Sequence, residues 1–228
     1  MNQTASIYHR DLSELVGKYK TVAEFLPAGA RVLELGCASG YFARALELRG
    51  HSVVGLEGDP LAAEEARAQS LEVYDADLSV GIPTHIAINQ FDAVLAMDIL
   101  EHLPNPEKIL TELYKGMKPG ARLIVTGPNV AHLSMRLRLL NGQWNYADTG
   151  ILDRTHLRFY TLTSWIALTA NAGFAVYAHR AAEDAPLPAN RLFTRVLGKS
   201  GSQRLCAFLT KRYPRLFAVV VLVVGHKI

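Results

Sequence analysis

Apolar runs rich in β-branched residues alternate along the chain with segments whose apolar positions recur at helical spacing. The runs predict seven strands, at residues 31–36, 52–57, 71–77, 91–98, 121–129, 174–181 and 217–224. Helices are predicted between them, over residues 40–49, 60–69, 106–117 and 161–172. Pro60 and Pro106 suit first helical turns, and Thr161 and Gly173 suit the two ends of the last helix. This alternation predicts an α/β fold, a Rossmann-like doubly wound sheet with helices on both faces.

Sheets of this kind bind ligands at the carboxyl ends of their strands, near the point where the strand order reverses. Two segments, 130–160 and 183–215, do not fit the alternation of strands and helices. Both leave late strands, so we predict that they form a lid over the acceptor site. The whole chain, 1–228, is predicted to be one domain that carries these two insertions.

Composition limits the class of protein and the kinds of site that the chain can contain. Of 228 residues half are hydrophobic, and Cys37 and Cys206 are the two cysteines, so neither a disulfide framework nor a paired-cysteine metal site is predicted. The first residues lack the apolar core of a signal peptide. The apolar run at 216–225 is too short for a spanning helix, which needs about 20 residues. We therefore expect a cytoplasmic protein, with no metal site recognised from spacing.

Charge is unevenly distributed. Residues 185–228 carry eight Lys and Arg and no acidic residue, whereas residues 1–184 carry more acidic than basic residues. Within 190–217, seven cations mix with Leu, Phe and Val at roughly helical spacing. One interpretation is a helical insertion packed on the domain with solvated cations. The other is peripheral contact with an anionic membrane at its inner face. Nucleic acid is disfavoured because few aromatic residues lie among the cations.

The first glycine-rich loop, Glu34-x-Gly36-Cys37-Ala38-Ser39-Gly40, lacks the GxGxxG spacing of dinucleotide sites and the Lys-Ser/Thr of a P-loop. Glu34 lies in the strand just before it, where a carboxylate would repel phosphate and attract an ammonium group. Glu57 ends the second strand 21 residues after Gly36, the position that hydrogen-bonds ribose hydroxyls in this architecture. Ribose and ammonium without phosphate describe S-adenosylmethionine (SAM).

Six motifs follow one another in order: VLELGCASGYF, VVGLEGDP, DADL, FDAVLAMDILEHLPNP, MKPGARLIVTGPN and DRTHLRFYT. Over about 28–181, with a last strand at 217–227, the chain resembles class I SAM-dependent methyltransferases. It is most similar to the bacterial branch of ubiquinone-biosynthesis-type and sugar-modifying O-methyltransferases. The resemblance implies a mostly parallel seven-stranded sheet whose last strand is antiparallel. Ala38 stands where the family usually has Gly, which is tolerable provided that its φ is not positive.

The resemblance also implies roles for single residues. Glu34, with the backbone of the first loop, would hold the methionine moiety, and Glu57 would accept from both ribose hydroxyls. Asp77 would accept from the adenine amino group while Leu78 offers its N–H to the ring. The full predicted cofactor set is Glu34, Gly36, Cys37, Ala38, Gly40, Tyr41, Glu57, Gly58, Asp77, Leu78, Met97 and Asp98, with the last two next to the sulfonium.

Most of these roles have a plainer alternative. Glu34 could instead be a capping carboxylate at a helix N-terminus. Asp59 is the rival ribose ligand to Glu57, and Asp77 could simply close an Asx turn. Cys37 is interpreted as a small loop residue, because no His or acid is paired with it in sequence.

Methyl transfer from a sulfonium is an in-line displacement, so the enzyme mainly aligns donor and acceptor. A hydroxyl acceptor also has to lose a proton, and histidine suits that task near neutral pH. His102 after the fourth strand and His156 in the late loop are the catalytic candidates, with Asp153 placed to orient either one. Both histidines could instead be structural, and Arg154 and Arg158 could bind an acidic substrate group or form ion pairs.

The sequence therefore predicts methyl transfer from SAM to a hydroxyl of a small molecule, a glycan or a lipid-linked precursor. The alternatives are a nucleic-acid or protein methyltransferase and a non-catalytic SAM-binding protein. Base amino methylation is disfavoured, because the residues after strand four, Asp98-Ile99-Leu100-Glu101, lack the Pro-Pro-aromatic box of that class. The oligomeric state stays open.

Overall fold

The computed structural model describes residues 14–184 and 190–228. Its strands are β1 (Arg31–Leu35), β2 (Ser52–Glu57), β3 (Glu72–Asp75), β4 (Ala93–Met97), β5 (Arg122–Pro128), β6 (Ala175–Asp184) and β7 (Ala218–His226). Its α-helices are α1 (Gly17–Ala23), α2 (Tyr41–Glu47), α3 (Pro60–Ala68), α4 (Pro106–Gly116), α5 (Leu133–Leu140), α6 (Leu162–Asn171), α7 (Asn190–Arg212) and α8 (Pro214–Phe217). The predicted lack of a signal peptide concerns the first residues, which lie outside the described ranges. Residues 185–189 of the second insertion also lie outside them.

The strands form one sheet in the order β3-β2-β1-β4-β5-β7-β6. Strands β1 to β5 pair in parallel, and β7 pairs antiparallel with both β5 and β6. The predicted Rossmann-like sheet, mostly parallel with an antiparallel last strand, is confirmed. The order reverses between β1 and β4, so their carboxyl ends open a crevice at the switch point.

The central strands are buried on both faces, which explains their nearly continuous apolar sequences. Leu33 and Leu35 of β1 face a core built with α4 and α6, whereas Val32 faces the opposite core, built with α1, α2 and α3. Successive side chains alternate between the two layers because the side-chain period of a strand is two. Burial of both faces fixes the register of β1, and hence the place where its loop begins.

The predicted helix boundaries rest on local hydrogen bonds. Thr161 and Ser164 form a capping box at the start of α6, and Gly173 follows its end with a φ of 107°. Asn105 caps α4 by accepting a hydrogen bond from the N–H of Lys108. These capping residues satisfy the free N–H groups of a first turn, which is why they are readable from sequence.

Both irregular segments contain a helix. The pattern did not predict the helix in the first segment, whereas roughly helical spacing was noted in the second, over 190–217. Segment 130–160 contains α5, and 183–215 contains α7, which is kinked at Gly198, where the backbone is not helical (φ 71°, ψ 169°). Helix α1 was also missed. Short helices such as α1 and α5 depend on tertiary packing more than on their own propensity. No helix in the described part of the chain is long and apolar enough to cross a membrane.

Candidate active site

The loop after β1 turns back onto β2. The N–H groups of Gly36 and Cys37 both donate to the carbonyl of Leu56, at 2.8 and 3.1 Å. Gly40 caps α2 with a φ of 77°, and a Cβ there would lie 2.3 Å from a methyl of Leu71. A side chain at this position would collide with Ala66 of α3 and with Leu71, just before β3. Glycine therefore keeps the N-terminus of α2 open at the switch point.

Ala38 departs from expectation. Its methyl was expected to be tolerated on the condition of a negative φ, but Ala38 lies at φ 49°. The left-handed region costs a non-glycine residue about 1–2 kcal/mol. Its N–H donates to Oε2 of Glu57 at 2.7 Å, which helps to hold this conformation.

Glu57, at the end of β2, has a carboxylate fixed by the backbone. Oε2 accepts from Ala38, and Oε1 accepts from the N–H groups of Gly58 at 2.8 Å and Asp59 at 2.9 Å. Asp59, the rival ribose ligand, instead caps α3 by accepting from Leu61 at 2.9 Å. The geometry thus favours Glu57 over Asp59 as the ribose ligand, and the ribose contact itself stays a prediction.

Glu34 lies in β1 with 4% of its surface exposed, and its Oε2 has no hydrogen-bond partner among the described residues. Burial, and secondarily the charge of Glu57, raise the pKa of Glu34 to about 8. A buried, unpaired carboxylate is unfavourable unless a cation or donor reaches it. Its environment is therefore suited to the predicted ammonium group.

Cys37 is 2% exposed, and its thiol pKa is raised by burial and by the charges of Glu34 and Glu57. A thiol held in its protonated form is a poor nucleophile. This supports its interpretation as a small loop residue.

The residues predicted to contact adenine lie just after the ends of β2 and β3. The N–H of Ala76 donates to the carbonyl of Glu57 at 2.7 Å, which places Gly58 beside Ala76, the residue before Asp77. Oδ1 of Asp77 accepts from the N–H of Ser79 at 2.8 Å, and hydrogen bonding to Ser79 lowers the pKa of Asp77. The Asx-turn alternative is thus present, and the adenine contacts of Asp77 and of the buried Leu78 stay predictions.

Asp98 follows Met97 and the end of β4 at φ 50°. Its Oδ1 accepts from the hydroxyl of Thr126 at 2.9 Å, and its Oδ2 forms an ion pair with Lys18 of α1. Tyr19, the next residue of α1, packs edge-on against Tyr41 at the start of α2. Helix α1 therefore covers the crevice between β4 and the first loop. Sequence reasoning missed Lys18 because nothing local links it to Asp98.

His102 and His156, predicted as catalytic, come together although they lie far apart in sequence. Glu101 and His102 belong to a 3-10 turn, Leu100–His102, after β4. The backbone carbonyl of Glu101 accepts from Leu157 at 2.8 Å and so ties the late loop to this turn. The two imidazole centroids are 4.8 Å apart in an edge-to-face arrangement.

The carboxylate of Asp153 makes no direct hydrogen bond to either imidazole within the described structure, although the N–H of His156 donates to the backbone carbonyl of Asp153 at 3.1 Å. The predicted orienting role of Asp153 stays a prediction. Its Oδ1 accepts from the hydroxyl of Thr155 at 2.7 Å, and that hydroxyl lies 3.1 Å from Nδ1 of His102. Nδ1 of His156 lies 3.1 Å from the carbonyl of Ile151. Burial, and then the nearby His156, lower the pKa of His102, so its neutral form is favoured at pH 7.

Glu101 is the acidic residue that sequence reasoning did not select. It is 0% exposed, and neither carboxylate oxygen has a hydrogen-bond partner among the described residues. Burial and the charge of Asp98 raise its pKa. One ligand atom each from Glu101, His102 and His156 lies within 4.8 Å of the others, so this group could hold a metal ion. The Glu-His pair after β4 was the available signal.

Structural partners are present for the two arginine candidates, Arg154 and Arg158, and for His132 of the first insertion. Arg154 pairs with Asp148 at 2.7 Å, and Arg158 donates to the carbonyl of Pro104 at 2.7 Å. His132 is 2% exposed and caps α5. These contacts favour structural roles for the three residues.

A cavity of about 720 Å³ opens between α1, β6 and α7. Lys211 and Arg180 line it, together with Thr21 of α1 and Glu24, the C-cap of that helix. Arg180 pairs with Glu24 at 3.3 Å. Because α1 also carries Lys18, the cavity and the β4 crevice share one helix as a wall.

Comparison with known proteins gives a family. Residues 7–179 match the model of a family described as a methyltransferase domain. The chain is 32% identical over 126 residues to a ubiquinone biosynthesis O-methyltransferase of Xanthomonas axonopodis pv. citri, covering 54% of this chain and 53% of that protein. It is 28% identical over 167 residues to the Psychrobacter arcticus protein of the same name, covering 68% and 63%.

These alignments span between about half and two thirds of the relatives' length. Among solved structures, a SAM-dependent methyltransferase from Archaeoglobus fulgidus superimposes with a TM-score of 0.63 at 18% identity, covering 92% of each chain. At that identity the likeness shows a shared fold.

Proposed function

The chain belongs to the methyltransferase-domain family, and from this premise we propose that it transfers a methyl group from SAM to an oxygen atom of a small-molecule acceptor. The proposal rests mainly on two carboxylates that lie at the switch point of the sheet. Glu34 is buried with an unpartnered oxygen, and Glu57 is fixed by three backbone N–H groups. No phosphate-binding loop accompanies them.

In this proposal the cofactor lies across the carboxyl ends of β1, β2 and β4. Glu34 pairs with the ammonium group of the methionine moiety, and Glu57 accepts from the ribose hydroxyls. Asp77 accepts from the adenine amino group through the oxygen that its turn leaves available. The sulfonium then lies beside Met97 and Asp98, where the carboxylate of Asp98 favours the positive charge.

The acceptor approaches from the side of the 3-10 turn. Its oxygen attacks the methyl carbon in line with the C–S bond, whose electron pair stays on sulfur to give S-adenosylhomocysteine. The hydroxyl proton leaves at the cluster of Glu101, His102 and His156, where the neutral form of His102 is favoured. Oxygen is the favoured target because an alcohol or phenol is a poor nucleophile until it loses its proton, whereas a neutral amine already has a nucleophilic lone pair. The name shared by the two bacterial relatives supports the same choice.

A test begins with the cofactor. Calorimetry should show binding of SAM and S-adenosylhomocysteine and no binding of NAD. Release of S-adenosylhomocysteine is then screened against phenols, hydroxylated aromatic acids, free sugars and glycans. Transfer to an amine but not to a hydroxyl would overturn the acceptor assignment, and binding of NAD in place of SAM would overturn the cofactor assignment.

We also propose that α7 and α8 can rest on an anionic lipid surface. Phe208 and Tyr213 are exposed beside Arg204, Lys211 and Arg212. Each such cation adds about 1 kcal/mol at most near an anionic bilayer. Sedimentation with anionic vesicles should therefore show salt-sensitive binding that disappears when the three cations become Gln. Absence of binding at low salt would leave the packed-insertion interpretation.

A further inference from the structure

We propose that the cavity between α1, β6 and α7 binds a small organic anion, a molecule that carries a carboxylate or phosphate group and at least one hydroxyl. The cavity has a volume of about 720 Å³. Small-molecule sites occupy roughly 300–1,000 Å³, so this volume suits a whole ligand rather than a single ion. The described lining residues have no role in the proposed methyl transfer, and the inference therefore goes beyond that function.

The register of the sheet gives the position of the cavity. Met97 of β4 pairs with Thr126 of β5, which in turn pairs with Leu222 of β7. Leu222 pairs with Arg180 of β6, so Arg180 lies at the same level of the sheet as Met97. Three strand spacings of about 4.8 Å put the two residues roughly 14 Å apart. The cavity is thus at the same end of the sheet as the cofactor crevice but forms a separate site.

Basic side chains outnumber acidic ones around the cavity. Among the described lining residues the basic side chains are Lys211, Arg180 and His179, and the one acid is Glu24. Arg180 pairs with Glu24 at 3.3 Å, and its guanidinium lies 4.8 Å from the centre of the Phe25 ring. Lys211 has no ion-pair partner in the described part of the chain. The unpaired ammonium group attracts an anion, and the stacked guanidinium offers it a planar set of donors.

The outer edge of β6 adds backbone donors. β6 ends the sheet order, so its side away from β7 has no strand partner within the described ranges. Side chains of a strand alternate between its two faces, yet four consecutive residues, 179–182, line the cavity. The cavity therefore extends around the strand edge, where N–H groups that lack a ladder partner are available to an oxyanion.

The remaining lining residues indicate the body of the ligand. The hydroxyl of Thr21 donates to the carbonyl of Gly17 at 3.2 Å, and the hydroxyl of Thr210 donates to the carbonyl of Phe217 at 3.4 Å. Each hydroxyl has used its proton, so it presents a lone pair to a donor on the ligand. The apolar lining residues are small or compact: Ala181, Ala182, Ala207 and Pro214. These features favour a hydroxylated carboxylate or phosphate ester over a purely apolar molecule.

Helix α1 links the cavity to the cofactor crevice. Thr21 lines the cavity, and Lys18, about one turn earlier on the same helix, pairs with Asp98 after β4. Residues three apart lie on the same side of a helix. A ligand that contacts Thr21 therefore stabilises α1 in the position that covers the crevice. Binding of the anion should strengthen SAM binding, and SAM should strengthen binding of the anion by the same factor.

The experiment uses calorimetry on the full chain, with gluconate and glycerol phosphate as anionic probes and glucose and glycerol as their neutral counterparts. The wild type should bind at least one anionic probe and neither neutral one. Lys211→Gln and, separately, Arg180→Gln should weaken this binding by about tenfold or more. Glu24→Gln should strengthen it, because the variant removes the acid that repels the anion and releases Arg180 from its ion pair. Arg212→Gln is the matched control, since Arg212 is an exposed cation next to Lys211 that does not line the cavity.

Urea denaturation of every variant reports whether the fold is intact. A wild type that binds neither anionic probe, or a folded Lys211→Gln variant that binds equally well, overturns the site. Equal losses for Lys211→Gln and Arg212→Gln would assign the binding to general surface charge and would also overturn it. If Glu24→Gln weakens binding as much as Lys211→Gln does, the ligand is not held as an anion. A saturating anionic probe should raise SAM affinity about fivefold or more, and an unchanged SAM affinity overturns the link through α1.

Discussion

Glu57→Ala offers the sharpest test of the cofactor site, because the carboxylate has two tasks. It accepts three backbone hydrogen bonds that join the first loop to the turn before α3, and it is proposed to accept from two ribose hydroxyls. Alanine removes both sets at once. Ala38, which lies at φ 49°, loses its acceptor as well.

The magnitude follows from the number of hydrogen bonds. Hydrogen bonds to a charged group contribute roughly 1.5–3 kcal/mol each, and the two ribose bonds compete with water, so a loss of about 2–4 kcal/mol in SAM binding is expected. At about 1.4 kcal/mol per factor of ten, this corresponds to roughly 30- to 700-fold weaker binding. The loss of the backbone acceptor adds a destabilisation of the fold on the order of 1–3 kcal/mol.

Calorimetry measures the affinity, and urea denaturation without ligand measures the stability. Asp59→Ala is the control, because Asp59 caps α3 two residues away. It should cost about 1 kcal/mol of stability, as a lost helix cap does, and leave SAM affinity nearly unchanged. The reasoning is refuted if Asp59→Ala weakens SAM binding more than Glu57→Ala, or if Glu57→Ala binds like the wild type.

Three further predictions concern single residues of the site. The pKa of Glu34 is about 8 in the folded protein against an ordinary value of 4.5, so the folded chain holds an extra proton between these pH values. The free energy of unfolding should therefore fall as pH rises from about 5 to 8. Urea denaturation should show a flatter pH dependence for Glu34→Gln, and the same pH dependence as the wild type would contradict this. Ala38→Gly should raise the free energy of unfolding by up to about 1 kcal/mol, because glycine adopts a positive φ readily. Ala62→Gly within α3 should lower it. If thermal denaturation shows that both variants are less stable than the wild type, Ala38 is unstrained. His156→Ala should reduce turnover about 100-fold or more with SAM affinity nearly intact. His85 is exposed, so His85→Ala should change neither turnover nor affinity. Full activity of His156→Ala in a methyl-transfer assay would show that His156 has no part in the mechanism.

Local rules determined much of this protein from sequence. The strands are readable because apolar runs buried on both faces leave few alternatives, and Thr161 shows the start of α6 because a first turn needs an acceptor for its free N–H groups. The order of strands and helices then predicts the crevice at the switch point. Glu34 and Glu57 follow from their places at the ends of the first two strands. These features depend on neighbours in sequence or on the common geometry of the sheet.

Tertiary structure decided what depends on contacts between distant segments. Lys18 reaches Asp98 across 80 residues, and the late loop brings His156 against His102. Glu101 looks like a solvated acid in sequence, and only the packing of that loop leaves its carboxylate buried without a partner among the described residues. Asp153 reaches His102 through Thr155, a relation that spacing does not reveal. Burial and long-range hydrogen bonding are properties of the assembled fold, and they determine which of the chain's acids and histidines can take part in chemistry.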